Sequence, residues 1–182
     1  MSRPYWIAAL DGTALAGYVV ALAARVPELE LSLWQPVVGY VLADALSGIT
    51  HWFADSQLSE VTPVVGRVLI HPFRDHHRDP AALTRHGLLE LCGNSALCSI
   101  PLLFLPLPAT FLATLTLALV LTNLFHRWAH DERPPAAARI LQRWKLILNS
   151  ASHARHHANG RGAYCVTNGW FNPVLDRLTA GK

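Results

Sequence analysis

Ala109–Phe125 reads ATFLATLTLALVLTNLF, an uncharged apolar run that passes without a break into His126-Arg127-Trp128-Ala129-His130. An uncharged helix of this length approaches the roughly 20 residues needed to cross a bilayer. It ends in two histidines four residues apart. Hydrophobic residues make up 52% of the 182-residue chain and charged residues 15%, against roughly 25% charged in an ordinary soluble domain. The mean hydropathy of +0.26 points the same way. The length suits one domain, expected to span residues 1–182.

Three further apolar stretches lie upstream, near Trp6–Val26, Leu33–Phe53 and Gly87–Leu105. The first is interrupted by Asp11. Together with Arg3 and the Ala21–Ala23 triplet it also fits a signal peptide, although its removal would leave an odd number of spans. Pro106 and Pro108 predict a tight connection between the third and fourth stretches. The fold expected is all-α, a four-span transmembrane helical bundle. An interfacial helix and a histidine-rich cytoplasmic cap complete it.

Orientation follows from the basic residues. With four spans, the N-terminus, the Ala54–His86 segment and the C-terminal tail share one side, and fourteen of the fifteen lysines and arginines lie there; Arg25 is the exception. That asymmetry predicts a cytoplasmic side. The pI near 9.0 is therefore a topogenic signal, and no basic run interleaved with aromatics indicates a nucleic-acid partner. After Pro134-Pro135, the stretch AAARILQRWKLIL places Ile140, Leu141, Trp144, Ile147 and Leu148 at helical spacing. This predicts a helix lying on the cytoplasmic leaflet or packed on the domain's own surface. Cys92, Cys98 and Cys165 form no CxxC pair and read as reduced thiols.

Ten histidines occur where ordinary usage would supply about four. All of them fall at the expected cytoplasmic face. His51 ends the second span, His76 and His77 lie in the following loop, and His86 begins the third span. His126 and His130 close the fourth, and His153, His156 and His157 follow the interfacial helix. On the second span Asp44, Gly48, His51 and Asp55 share one helical face; on the third His86, Glu90 and Asn94 do; on the fourth Asn123, His126 and His130 do. Polar groups at that depth are costly unless they pair or bind something.

Neutral imidazoles at HxxxH and HxxHH spacing suit iron, zinc, copper and nickel alike. Their number distinguishes more: a single zinc needs three or four ligands, whereas His51, His76, His77, His86, His126, His130, His153, His156 and His157 suffice for two metals. Asp44, Asp55, Glu90, Asn94 and Asn123 are candidates for the outer partners that orient such ligands. Two metals with open positions at a lipid-facing interface fit oxygen activation better than hydrolysis. His71 fits a polar cap or headgroup contact. Asp75, Asp79, Asp131 and Glu132 read as solvated or salt-bridged, and Trp52, Trp128 and Trp170 as interfacial belt residues.

The strings ADALSGITHWFAD (43–55), FRDHHRDPAALTRH (73–86), HRWAH (126–130), HARHH (153–157) and YCVTNGWFNPVLD (164–176) resemble the lipid desaturases that include plasmanylethanolamine desaturase and plant fatty acid desaturase 4. The similarity runs from about Val41 to Leu178, and the FRDHH-DP-LTRH stretch is closer to the plasmanylethanolamine branch. The resemblance implies two non-haem iron ions, O2 as co-substrate, a membrane phospholipid substrate, and an electron donor such as cytochrome b5 or a ferredoxin. It implies catalytic histidine boxes at His126–His130 and His153–His157, with His51, His76, His77 and His86 matching the family's further histidines. In the ether-lipid branch two hydrogens leave the sn-1 alkyl chain beside the ether oxygen, giving the vinyl ether of a plasmalogen. That bond lies near the headgroup level, the depth at which these histidines lie.

The chain departs from the family pattern at two places. Cys92-Gly93-Asn94-Ser95 stands where an NGDN-like segment is usual, and Ser152 where a histidine is often found. The first bears on substrate choice more than on metal binding. Two other readings remain open on the residues alone: desaturation of a phospholipid acyl chain near its carboxyl end, and a membrane carrier or transporter holding haem or metal.

Overall fold

The computed structural model describes residues 5–63, 66 and 70–180. Arg3, Arg67 and Lys182, counted above for orientation, lie outside them. The architecture is all-helical, with no strand among the described residues. The helices are α1 (Tyr5–Arg25), α2 (Trp34–Ser56), α3 (His71–Arg78), α4 (Leu88–Ser99), α5 (Ala109–His130), α6 (Ala136–Arg143), α7 (Ser150–Asn159) and α8 (Asn172–Thr179). Three helical stretches, Tyr5–Glu28, Trp34–Ser56 and Ala109–His130, are long and apolar enough to cross a membrane.

The expected third span is shorter than the others. Its α-helix covers 12 residues and then tightens into a 3-10 turn over Ile100–Phe104, with Pro101 at the entry. At about 1.5 Å per α-helical and 2.0 Å per 3-10 residue the pair extends roughly 28 Å, close to the hydrocarbon thickness of about 30 Å. Four helical segments of near-spanning length are therefore present.

The chain divides into two compact units. The first draws on Met1–Ala43 and His86–Leu124, the second on Asp44–Arg85 and Phe125–Lys182. In the first, α1 packs along α4. The approach is closest at Gly93, where a Cβ would meet the Asp11 Cβ at 2.4 Å. Gly39 likewise lets α2 approach the α5 backbone, a Cβ there falling 2.8 Å from the Phe111 carbonyl oxygen. Ala43, Leu115 and Ala118 form the adjoining core, with Tyr40, Phe111 and Leu119 against it. Tyr18 and Thr116 hydroxyls hydrogen-bond at 3.2 Å, satisfying polar atoms between apolar helices. Arg25 donates to the Leu107 carbonyl at 2.9 Å and pairs with Glu28. The outward side chains Trp6, Val19, Val20, Leu33 and Trp34 are exposed and apolar, as lipid-facing surface requires.

The second unit contains everything C-terminal to α5. The helix expected across AAARILQRWKLIL stops at Arg143, because Lys145 adopts a left-handed conformation (φ 55°). Beyond that turn Ile147 and Leu148 leave the helical stripe and enter the core, Leu148 packing with Ala129 and Val166. Gln142 holds the turn by donating to the carbonyls of Trp128 and Leu148, each at 3.1 Å. Ile140 and Trp144 stay exposed, so α6 keeps an apolar outer face. α7 is delimited by an Asn149 side chain that accepts the Ser152 amide at 2.8 Å and by left-handed Gly160. Cys92, Cys98 and Cys165 are free, and burial pushes the Cys165 thiol pKa up, which keeps it protonated.

Candidate metal centre

One face of α2 organises the centre. Asp44, Gly48, His51 and Asp55 recur at helical spacing, and the first three meet successive positions of the segment between α7 and α8. Asp44, fully buried, accepts the backbone N–H groups of Asn168 and Gly169 on Oδ1 (2.8 and 2.9 Å) and of Phe171 on Oδ2 (2.9 Å). Gly48 admits Cys165, whose Sγ would lie 2.4 Å from a Cβ at that position. One turn on, the His51 Nδ1–H donates to the Tyr164 carbonyl at 2.9 Å. A carbonyl only accepts, so Nδ1 carries the proton and Nε2 offers its lone pair. His156 is fixed in the same way, Nδ1–H donating to the Gly162 carbonyl at 2.7 Å.

Eight histidines and one aspartate then fall into two sets of potential ligand atoms, each set lying within 4.8 Å of one another. The first is His76, His126, His130, His153 and His157; the second is His51, Asp55, His77 and His156. In the first set, the Nε2 atom of His153 lies 2.8 Å from those of His126 and His130 and 3.0 Å from that of His157. A single imidazole nitrogen has one proton or one lone pair, so it cannot serve three such neighbours by hydrogen bonding. A cation bound at about 2.1 Å would place its nitrogen ligands about 3.0–3.4 Å apart, near what is observed. The His76 Nε2 atom is buried without a hydrogen-bond partner among the described residues.

Asp55 dominates the second set. Its Oδ2 atom lies 3.1 Å from His77 Nε2, 3.2 Å from His51 Nε2 and 3.6 Å from His156 Nε2, while Oδ1 is buried with no partner among the described residues. The sequence suggests an outer acceptor here; the geometry puts the carboxylate among the inward-pointing nitrogens. The two sets adjoin through the consecutive pair His76 and His77, whose ring centroids are 4.4 Å apart. Burial, followed by the neighbouring imidazoles, pushes the pKa of His76 down to about 2 and of His157 down to about 3, with His153 lowered for the same reasons. Neutral rings keep their lone pairs available to a metal.

The remaining candidates sit elsewhere. His86 pairs with Glu90 at 2.6 Å within the first unit and belongs to neither set. Asn123 donates to the Leu91 carbonyl and to the Ser95 hydroxyl, and Asn94 is exposed on α4. Asp44 serves backbone amides, as described, and its carboxylate is not among the ligand atoms. His71 pairs with Glu60 at 2.9 Å and lies half-exposed, as a polar cap would. Sequence spacing did not reveal α3, the short helix that presents His76 and His77 together. Its signal is Pro72 near the helix start, followed by polar residues with no apolar stripe.

A family model described as a lipid desaturase domain matches residues 40–180. The chain is 41% identical over 151 residues to plasmanylethanolamine desaturase of Myxococcus xanthus, covering 76% of this chain and 54% of that protein. It is 36% identical over 173 residues to plasmanylethanolamine desaturase 1 of Mus musculus, covering 85% and 64%. With the chloroplastic fatty acid desaturase 4 of Arabidopsis thaliana it shares 35% identity over 149 residues, covering 76% and 46%. The chain thus spans about half to two thirds of the length of these relatives. No solved structure matches it.

Proposed function

The chain belongs to the lipid desaturase family, and on that premise we propose that it is an O2-dependent membrane oxidoreductase holding two iron ions. Its substrate in this reading is a plasmanyl phospholipid, whose sn-1 alkyl ether becomes the vinyl ether of a plasmalogen. The single observation that carries the proposal is the pair of adjoining ligand sets, one of five imidazoles and one of three imidazoles with a carboxylate. Nitrogen donors with one carboxylate suit iron, and such a pair of ions supplies stepwise oxygen activation when bound. The reaction balances with O2, two electrons and two protons from a reduced donor, and two hydrogens from the alkyl chain, leaving two waters.

The protein's own residues give this chemistry its position. Backbone carbonyls of Tyr164 and Gly162 fix the His51 and His156 rings, and the Asp55 Oδ2 atom faces three imidazole nitrogens. His51 and His126–His130 stand at or near the C-terminal ends of apolar helices, which supports a cluster at headgroup depth. The target bond of an alkyl ether lipid lies beside the glycerol, at that same depth. The bias of basic residues supports a cytoplasmic site, served by a carrier such as cytochrome b5 or a ferredoxin.

The test is expression in cells supplied with alkyl lipids but lacking their own vinyl ethers. Lipid mass spectrometry should show new acid-labile vinyl ethers at the sn-1 position. No new unsaturation in that chain would reject the substrate. The plant relatives named as fatty acid desaturases favour a second reading, an acyl chain desaturated near its carboxyl end; the position of the new double bond separates the two.

A further inference from the structure

Away from the imidazoles, a cavity of about 430 Å³ opens between α7, the 160–163 turn and α8. Its charge comes from Arg155, Arg161 and Asp176, with Ser152 and Asn159 adding polar atoms and Gly162 forming part of the wall. Both arginines are exposed, and neither is held in an ion pair among the described residues. Arg78 and Arg85, by contrast, pair with Glu60 and Asp79. Asp176 is partly committed: Oδ1 accepts the Ala163 amide at 2.8 Å, which fixes the carboxylate and leaves Oδ2 free of that bond. Gly162 is in the left-handed region (φ 71°), and a Cβ there would touch the carboxylate at 3.5 Å, an ordinary van der Waals contact.

We propose that this cavity binds the zwitterionic phosphoethanolamine headgroup of the lipid substrate, Arg155 and Arg161 taking the phosphate and Asp176 the ammonium. The proposal rests on the desaturase reading above and specifies which headgroup that site selects. Guanidinium groups are the side chains best matched to phosphate oxygens. A fixed carboxylate oxygen accepts N–H from a primary ammonium and has no N–H to accept from a quaternary one. The volume falls in the range of roughly 300–1,000 Å³ usual for small-ligand sites.

Location supports the assignment. On α7, Ser152, Arg155 and Asn159 recur at three and four residues and share one face, while His153, His156 and His157 occupy the adjoining face. Gly162 belongs to both places: it lines the cavity, and its carbonyl fixes the His156 ring at 2.7 Å. A headgroup held here lies against the helix that carries His153, His156 and His157. Only the glycerol and an ether oxygen intervene between a phosphate and the bond to be desaturated. Holding the phosphate therefore sets which carbon of the chain arrives at the cluster.

The experiment measures equilibrium binding of dihexanoyl phosphatidylethanolamine, dihexanoyl phosphatidylcholine and inorganic phosphate to the full chain in detergent. Phosphatidylethanolamine should bind about tenfold tighter than phosphatidylcholine, and both far tighter than free phosphate. Arg155→Ala and Arg161→Ala should each weaken both lipids about tenfold, with partial recovery in Arg155→Lys and Arg161→Lys. Asp176→Asn retains an acceptor for the Ala163 amide; it should abolish the preference for ethanolamine while leaving phosphatidylcholine binding unchanged. Arginine variants that bind like the parent, or free phosphate binding as tightly as lipid, would overturn the site. If the parent shows this headgroup pattern but forms no vinyl ether, the reaction is wrong and the site stands. If it forms vinyl ethers while the variants bind and turn over as it does, the reaction stands and the site is wrong.

Discussion

Asp44 Oδ1 accepts the backbone N–H of Asn168 at 2.8 Å across 124 residues of chain. The same carboxylate accepts from Gly169 and Phe171, so one buried side chain holds the turn that leads into α8. Gly169 is in the left-handed region (φ 85°), which lets successive amides turn toward one anion. Asp44→Ala would leave three donors without this partner, one buried and two partly buried. The expected cost is about 3–5 kcal/mol, seen as a lower thermal midpoint in tryptophan fluorescence, with Trp170 as a reporter inside the turn. A midpoint equal to the parent's would show that the turn is held by other contacts.

Iron content tests the two ligand sets separately. His126 belongs to the five-imidazole set and His156 to the set shared with Asp55. Under the proposed function the parent should carry about two irons per chain, and His126→Ala and His156→Ala about one each. Elemental analysis of purified protein gives the ratio directly. Two irons retained in both variants would mean that these rings are not ligands.

The helices and the inward faces were legible because both rest on local rules. Hydropathy over 18 or more residues places α1, α2 and α5, and spacing alone puts Asp44, Gly48, His51 and Asp55 on one face of α2. What each member of that face does was not legible. The partners of Asp44 and His51 lie more than a hundred residues away, and a carboxylate in a span reads the same whether it serves imidazoles or amides. The end of α6 was hidden for a related reason. Leu148 is drawn into a core with Ala129 and Val166, and this long-range packing overrides the helical period of the sequence. The partition of the histidines into two sets depends on how α2, α3, α5 and α7 meet, which no spacing encodes.

Two glycines in the first unit should respond to alanine in opposite directions. A Cβ on Gly93 would lie 2.4 Å from the Asp11 Cβ and 2.7 Å from its Cα, so backbone as well as side chain must shift. Gly93→Ala is expected to destabilise by about 1–3 kcal/mol. Gly12 lies inside α1 with nothing within 4 Å of a Cβ. Gly12→Ala should stabilise by about 0.5–1 kcal/mol through helix propensity. Thermal midpoints of the two variants check the pair; a fall for Gly12→Ala or no change for Gly93→Ala would contradict the packing described.

Asp55 distinguishes a ligand from a structural acceptor. Its Oδ2 atom faces three imidazole nitrogens and its Oδ1 atom is buried without a partner among the described residues. Three neutral rings that each have a hydrogen-bond donor to spare could be gathered by a carbonyl nearly as well as by a carboxylate. His51 and His156, however, have already given their Nδ1 protons to backbone carbonyls, so their Nε2 atoms present lone pairs toward Asp55. Lone pairs facing an anion repel unless a cation lies between them. Asp55→Asn preserves shape and removes that charge. It should fold as the parent does, yet release one iron about 10–100-fold more readily to a chelator, followed by absorbance of the chelate. Unchanged release would assign Asp55 a purely structural part and leave the second set with three imidazoles.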